Sequence, residues 1–594
     1  MKAKTLPQGL NVALIGATLV TLGLWTGSFD QLIFPKFILL ILSGALLIGF
    51  AVGDSSLSKI LPFTLLSGSF LSFFVMASIQ TKPIHTALFG VQGRNMGLLS
   101  YFALMVFALY FAGNTQELVA ERTINVFLGT SVILMIYGLM QRFDSDPFKW
   151  NLVYEGIIGT LGNPNFMSTF MALGAVALVG VISLRKKRKP YWIPNFVVFA
   201  GFLIAMEASK STQGWIVLLI GLLPIIFFQL EKVSRLVSRI FVGTSATLLI
   251  LLGLALNQIG PLSRYIYEQS LQFRADFWSI AWRMALENPW FGVGIDRYQN
   301  FYREFKTIEQ VSRVGAEDFS DSAHNLYLHF AATGGFPLAL TFLALNLYIG
   351  FRFIVAYRKF AENKAIVATL FGLWLGIQAQ SLISIDHPAI ALWGWIFGGI
   401  GVGLSLSREE KKVESLGKKY IGLSVSIVTS VIALVVIAPV VQAQSMLLKG
   451  FYAYVEKGDE EAIRVKSNYL KDLEGIDSGN PTLPILSANS LFQDEAFKEA
   501  ADAARRAILI DEHDYRAWWF LASALEKDGL RAQAIEARTK TIELAPYNLV
   551  NLLELARNQA EAGDSEGLKK TQEEMRQIDL NAAETIEAIS IQIN

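Results

Sequence analysis

The fold is decided by stretches such as NFMSTFMALGAVALVGVISL, residues 165–184, which contain no charged residue. A helix of about 20 apolar residues crosses the ~30 Å hydrocarbon core of a bilayer, where helices satisfy their own backbone hydrogen bonds. The chain therefore reads as an all-α polytopic membrane bundle of about 12–13 transmembrane helices. The apolar stretches lie near 9–26, 33–53, 60–79, 96–113, 123–141, 165–184, 191–207, 214–230, 240–258, 333–355, 364–383, 388–406 and 420–442.

The composition agrees with a membrane protein and excludes several functions. Of the 594 residues, 53% are hydrophobic, 17% are charged and none is cysteine. Without cysteine there are no disulfides, thiolate metal sites or thiol nucleophiles. A net charge of +1 argues against nucleic acid as a partner, because that affinity rests on phosphate neutralisation.

The distribution of Lys and Arg predicts the orientation. With the N-terminus in the cytoplasm, 21 of them fall in inner loops and six in short outer loops, as expected for cytoplasmic loops enriched in these residues. The segments with unusual sequence then face outward, which predicts a site at the outer face. They are 85–94, 141–165, 207–213, 260–325 and 381–388.

This reading divides the chain into four parts. Residues 1–258 hold transmembrane helices 1–9, and residues 259–332 form a large extracytoplasmic loop with short helices. Residues 333–442 hold transmembrane helices 10–13, and residues 443–594 form an extracytoplasmic helical region.

The C-terminal region has a period of 34 residues. Ala500, Ala534 and Leu568 form one series, and Gly529 and Gly563 form another. The pattern resembles tetratricopeptide repeats, which are pairs of helices stacked into an α-solenoid. Docking of a protein partner is the common use of such stacks, and an array that only caps or spaces the membrane domain is the alternative. We assign repeats to 481–514, 515–548 and 549–582.

The large outer loop contains a helical pattern that places Arg274, Trp278 and Trp282 on one face. An arginine there could bind a phosphate bidentately at the membrane surface. We take Arg274 as a catalytic candidate and Trp278 as a substrate-binding candidate. The alternative is an interfacial amphipathic helix anchored by Trp and Arg. Gly292 and Gly294 follow, and they allow a tight turn.

The motif DSAHNLYLHFAATGGFP, residues 321–337, leads into the tenth apolar stretch. A neutral imidazole at His324 could accept a proton from a sugar hydroxyl, as glycosyl transfer requires. The alternative is a structural role for His324, in packing or hydrogen bonding. His329 lies about 140° away around a helix, so the two do not form a metal site. Asn325 is a further substrate-binding candidate.

The motif GTLGNPNF, residues 159–166, stands at the start of the sixth apolar stretch. Asn163 and Asn165 could hold sugar hydroxyls or phosphate. A turn and helix cap is the alternative, and it explains the glycines and the proline but not both asparagines.

Two cations and one Asp–His pair also lie in outer segments. Arg94 precedes the fourth apolar stretch and is a substrate-binding candidate, with topological anchoring as the alternative role. Lys210 stands beside hydroxyl residues at the start of the eighth stretch and is a further substrate-binding candidate. Asp386 and His387 lie in a short turn and could equally serve as a helix cap.

Taken in order, these motifs resemble the O-antigen ligase and polymerase superfamily over about residues 90–405. The resemblance implies transfer of a glycan from a polyprenyl-diphosphate carrier to an acceptor, on the outer side of the bacterial inner membrane. It implies no metal and no other cofactor. The loop arginine of the family grips the diphosphate and its histidine lies near the acceptor, which correspond here to Arg274 and His324. Relatives often show Ser-Arg-Gly where this chain has Ser211 to Gly214, so Lys210 or Arg94 would have to substitute.

We therefore expect a metal-independent, inverting glycosyltransferase that acts as an oligosaccharide ligase. A polymerase that extends the carrier-linked glycan is one alternative, and a membrane transporter with an attached interaction module is another. The expected partners are the lipid-linked donor, an acceptor of open class (lipid, wall polymer or protein), the bilayer, and a protein bound through the repeats.

Overall fold

The computed structural model describes residues 9–53, 60–148, 154–184, 192–256, 269–315, 318–359, 363–406, 416–456 and 458–578, with Pro7, Trp150 and Gly260. Every regular element in these residues is a helix. In chain order they are α1 (Gly9–Leu22), α2 (Phe34–Gly53), α3 (Leu61–Gln80), α4 (Ile84–Phe89), α5 (Leu98–Asn114), α6 (Glu117–Arg142), α7 (Pro164–Leu184), α8 (Trp192–Ala208), α9 (Gln213–Val233), α10 (Arg235–Leu256), α11 (Gln269–Glu287), α12 (Tyr298–Phe301), α13 (Ile308–Val314), α14 (Leu326–Lys359), α15 (Lys364–Ile383), α16 (Pro388–Leu404), α17 (Leu416–Phe451), α18 (Glu460–Ile476), α19 (Thr482–Gln493), α20 (Phe497–Ile510), α21 (Tyr515–Lys527), α22 (Arg531–Leu544), α23 (Leu549–Ala562) and α24 (Ser565–Ile578).

Each predicted apolar stretch corresponds to a helix. Among the described residues, eight helices are long and apolar enough to cross a membrane: α2, α3, α6, α7, α9, α14, α15 and α17. Four shorter apolar helices, α1, α5, α8 and α16, accompany them, and α10 matches the remaining stretch. The predicted all-α membrane helix bundle is thus confirmed.

The long helix α17 is tied to the bundle by hydroxyl groups. Ser426 Oγ donates to the Leu46 carbonyl at 2.8 Å, and Thr429 Oγ1 donates to the Ala45 carbonyl at 2.7 Å. Small hydroxyl residues let helices approach closely where apolar burial between helices gains little over lipid.

Helix α14 differs from the predicted tenth stretch, which began at residue 333. It starts at Leu326 and is interrupted at Gly335, where φ is 80° and ψ is 170°. Residues 326–334 therefore form a short half-helix, of which the sequence pattern assigned 326–332 to the loop. The reason is local, because Asn325 Oδ1 accepts from the Leu328 N–H at 3.1 Å and so caps a helix start.

The three predicted repeats are three helix pairs, α19–α20, α21–α22 and α23–α24. The expected boundary at residue 442 falls inside α17, whose helical hydrogen bonding continues to Phe451 past the change in polarity. Ala443 and Leu447 there are buried with Leu470 of α18 and Leu483 of α19. The last turns of α17 thus belong to the core of the repeats.

Some expectations fall outside the described residues. These are the inner-loop Lys and Arg at 185–189 and 408–412, which contribute to the orientation count, part of the large loop at 261–268 and the end of the third repeat at 579–582.

Candidate functional site

The two motifs of the large loop pack backbone against backbone. The Val293 N–H donates to the Ala332 carbonyl and the Phe336 N–H donates to the Pro289 carbonyl, both at 2.8 Å. Gly292 (φ +65°) and Gly335 (φ +80°) stand at this contact. A Cβ at Gly292 would lie 2.5 Å from the Ala332 oxygen, so the approach requires glycine. The spacing of both motifs thus serves one junction.

His324 lies two residues before α14, in a strained backbone conformation. His324 has a φ of +46°, in the left-handed region, which persists at a cost of ~1–3 kcal/mol only where the surroundings enforce it. Its ring packs on Phe277 of α11, with centroids 5.3 Å apart. Strained residues of this kind cluster at functional sites.

His324 lines a cavity of about 330 Å³ at the loop end of the bundle. The cavity brings together six of the residues singled out from the sequence, Arg94, Asn163, Asn165, His324, Asp386 and His387. Its other described lining residues are Ile33, Gly93, Tyr154, Leu161, Gly162, Phe166, Asp321, Ser384, Ile385 and Pro388.

Arg94 is buried and ion-paired. Its guanidinium contacts the Asp296 carboxylate and also donates to the Asp321 carbonyl at 3.1 Å. Burial alone would raise the pKa of Asp296, but the charge of Arg94 lowers it below the ordinary value. The same carboxylate accepts from the Val91 N–H at 2.6 Å and lies 3.5 Å from His329 Nε2. Asp296 thus offsets the positive charge of Arg94.

The two asparagines have different partners. Asn163 Oδ1 accepts from the Asn165 N–H at 2.8 Å, which caps the start of α7. Its amide also donates to Tyr154 Oη at 3.4 Å. Asn165 Oδ1 accepts from Ser211 Oγ at 2.6 Å. A cap therefore explains Asn163, whereas Asn165 joins α7 to the start of α9.

The Asp–His pair between α15 and α16 also faces the cavity. Asp386 is buried and accepts from Tyr101 Oη at 2.7 Å. Burial raises the pKa of Asp386 to about 6. His387 Nδ1 accepts from the Ala389 N–H at 3.2 Å, so this imidazole is a helix cap as well as a wall of the cavity.

The surroundings keep His324 neutral. Burial lowers its pKa to about 4; Asp321 opposes this shift, and the positive charges of Arg274 and Arg94 add to it. The imidazole is therefore unprotonated at neutral pH and can accept a hydrogen bond or a proton.

Four predicted site residues are not among the described residues of the cavity wall. Arg274 lies on α11, one turn before Phe277, and its charge acts on His324. Trp278 is half-buried beside it. Lys210 forms an exposed ion pair with Glu155 at 2.9 Å. Asn325 caps the half-helix of α14.

Sequence reasoning missed Asp296, Asp321 and Tyr154. Asp296 had one usable signal, because an acidic residue follows the Gly292–Gly294 turn, and it has a φ of +60° in the structure. Asp321 opens the motif at 321–337, three residues before His324, which was its signal. Tyr154 carried none, since aromatic residues are common at membrane interfaces.

The repeats contact this same loop. Arg297 of the loop forms a buried ion pair with Asp511, which also accepts from Asn300 Nδ2 at 2.9 Å. The Arg303 guanidinium lies over the Tyr515 ring, 4.4 Å from its centroid. The loop is therefore held between the bundle and the repeats.

Comparison with known proteins gives three findings. No curated protein matches the chain. The crystal structure of the APC/C hetero-tetramer Cut9-Hcn1 aligns with 83% of this chain and 89% of its own, at 11% identity and a TM-score of 0.21, which supports no argument. Residues 196–343 match the O-antigen ligase family model. The matched part includes Arg274 and His324, so the resemblance to this family is confirmed over residues 196–343.

Proposed function

We propose that the protein transfers a glycan from a polyprenyl-diphosphate carrier to an acceptor hydroxyl, with inversion and without metal. One observation carries the proposal: a cavity joins His324, in the region matched by the ligase family model, with hydrogen-bonding groups from the segment before α5, the start of α7 and the α15–α16 turn. The Lys and Arg distribution supports placing this end of the bundle, and the repeats, outside the bacterial inner membrane.

The reaction needs positive charge where the diphosphate departs. We assign the diphosphate contact to Arg274, because it lies in the region matched by the ligase family model and its charge acts on the imidazole of His324. Arg94 is paired with Asp296, and Lys210 is paired with Glu155. In the proposed role, Arg94 positions Asp296 and the cavity wall.

The acceptor oxygen attacks the anomeric carbon, the bond from that carbon to the diphosphate oxygen breaks, and polyprenyl diphosphate leaves. Two buried groups can take the hydroxyl proton. His324 is neutral with a pKa of about 4, while Asp386 has a pKa of about 6 and is the stronger base. In a pH–rate profile, loss of rate below about pH 6 indicates Asp386, and loss near pH 4 indicates His324.

The central test is transfer by purified protein in membranes that contain a carrier-linked glycan and an acceptor. We expect Arg274→Ala and His324→Ala each to abolish transfer while the variants remain folded. Arg505→Ala is the matched control, because Arg505 is an exposed residue of α20 paired only with surface groups. Full transfer by either site variant would refute the assignment of that residue.

Gene disruption distinguishes a ligase from a polymerase. A ligase leaves full-length carrier-linked glycan without its conjugate, whereas a polymerase leaves carrier-linked single units. The docking of the repeats beside the site favours the ligase, since a partner held there could present an acceptor.

A further inference from the structure

A second and larger cavity of about 930 Å³ adjoins the site. It is formed by the end of α6, the following loop and the end of α8. Tyr154 lines this cavity and the site cavity alike. The two spaces therefore share a wall, and a chain molecule could extend from one into the other.

Phe148 and Trp150 form the aromatic side of this cavity, and hydrogen bonds to one carboxylate hold it. Asp146 accepts from Trp150 Nε1 at 3.1 Å, from Tyr137 Oη at 3.0 Å and from the Phe148 N–H at 2.9 Å. It also accepts from Gln141 Nε2 at 2.8 Å. The Phe148 and Trp150 rings contact each other with centroids 5.4 Å apart. One carboxylate thus holds the Trp150 ring and the backbone of Phe148, whose rings pack together.

The same network connects to the site. The carbonyl oxygen of the Gln141 side chain accepts from the Gly159 N–H at 2.8 Å and the Ile158 N–H at 3.2 Å. These amides belong to the segment that continues to Asn163, which donates to Tyr154 at 3.4 Å. Hydrogen bonds therefore connect the aromatic side of the larger cavity with the wall of the site cavity.

The charge of the larger cavity is negative. Its described lining holds four acidic residues, Asp144, Asp146, Glu155 and Glu207, and two basic ones, Arg142 and Lys210. Lys210 is paired with Glu155, and Asp146 is used by the aromatic side. Asp144 and Glu207 remain on the wall as hydrogen-bond acceptors for hydroxyl or ammonium groups.

We propose that this cavity, defined by Trp150, Tyr154, Asp144 and Glu207, is a subsite for sugar rings of a neutral or amine-bearing glycan. The proposal rests on the proposed function, since it names the substrate class of the neighbouring site. Aromatic rings offer apolar faces to the C–H faces of sugars, and carboxylates accept from their hydroxyls. A glycan rich in carboxylates is disfavoured by like charge.

The test measures, by saturation-transfer NMR, the binding of lipid-free oligosaccharides to the purified full-length protein. The probes are a chitosan oligomer (cationic), a maltooligosaccharide (neutral) and an oligogalacturonate (anionic). We expect binding of the first two and at least tenfold weaker binding of the third. Trp150→Ala and Tyr154→Ala should each weaken binding about tenfold, because each removes a stacking interaction of ~1.4 kcal/mol.

The control is Tyr454→Ala, because Tyr454 is 89% exposed and lies outside both cavities. Asp144→Asn with Glu207→Gln should remove the preference for the cationic probe over the anionic one and leave the neutral probe bound. Equal affinity for all three probes, or unchanged binding by both aromatic variants, would overturn the proposal. This readout needs no transfer, so it fails independently of the proposed reaction.

Transfer kinetics then identify the source of the sugar. A raised KM of Trp150→Ala for the carrier-linked donor assigns the cavity to the donor glycan, and a raised KM for the acceptor assigns it to the acceptor. An unchanged KM for both would overturn the link between the cavity and the reaction.

Discussion

Replacement of Gly335 by alanine tests the junction between the two loop motifs. Gly335 has a φ of 80° and a ψ of 170°, a region open almost only to glycine, where another residue costs ~1–3 kcal/mol. A Cβ there would overlap the Trp290 carbonyl and lie 2.7 Å from the Phe291 nitrogen. Relieving an overlap of this kind costs a further ~1–3 kcal/mol. Together the two costs predict that Gly335→Ala lowers the free energy of unfolding by ~2–6 kcal/mol.

The assay is thermal unfolding in one detergent, followed by tryptophan fluorescence. Gly68→Ala is the matched control, because Gly68 lies within α3 and a Cβ there meets nothing within 4 Å. We expect the midpoint of Gly335→Ala to fall by several degrees and that of the control to stay or rise. A double variant with Gly292→Ala should lose less than the sum, since both residues serve one contact. Equal midpoints for Gly335→Ala and Gly68→Ala would refute the reasoning.

Three further predictions concern charged groups. The raised pKa of Asp386 contributes stability below its ordinary value of 3.8 that is lost as pH rises through about 6, so Asp386→Asn should show a smaller decline in unfolding temperature over that window. The lowered pKa of His324 acts oppositely, with stability lost as pH falls from 6.5 through about 4; His324→Gln should lack that loss. Asp511→Asn leaves Arg297 buried without its carboxylate, which should weaken docking of the repeats by ~3–5 kcal/mol and speed hydrogen exchange in α12 and α21. Asp502→Asn is the control, because Asp502 belongs to an exposed ion pair, and it should leave the exchange unchanged. Similar exchange in both variants would contradict the docking role.

Much of the fold could be predicted because its causes are local and periodic. Uncharged stretches of membrane length became helices, and the 34-residue period became helix pairs. The order of the motifs also indicated the cavity. Consecutive spans run in opposite directions, so the start of α5, the start of α7 and the start of α14 lie at the same end. Arg94, Asn163 and His324 meet there for that reason.

Partners distant in sequence could not be predicted. Arg94 and Asp296 are 202 residues apart, and no period relates them, so the cation expected to bind phosphate could not be recognised as ion-paired. The pairing of Lys210 with Glu155 is hidden in the same way. The role of Asn325 was accessible, because asparagine before an apolar helical run is a common N-cap.

Asp296 and Arg297 are consecutive residues whose side chains form ion pairs with different parts of the molecule. Asp296 holds Arg94 of the membrane bundle, and Arg297 holds Asp511 of the repeats. Anyone exchanging the solenoid for that of another protein must therefore keep an acidic group where Asp511 stands. A chimera without it would disturb a single peptide unit and, through that unit, the lining of the cavity beneath.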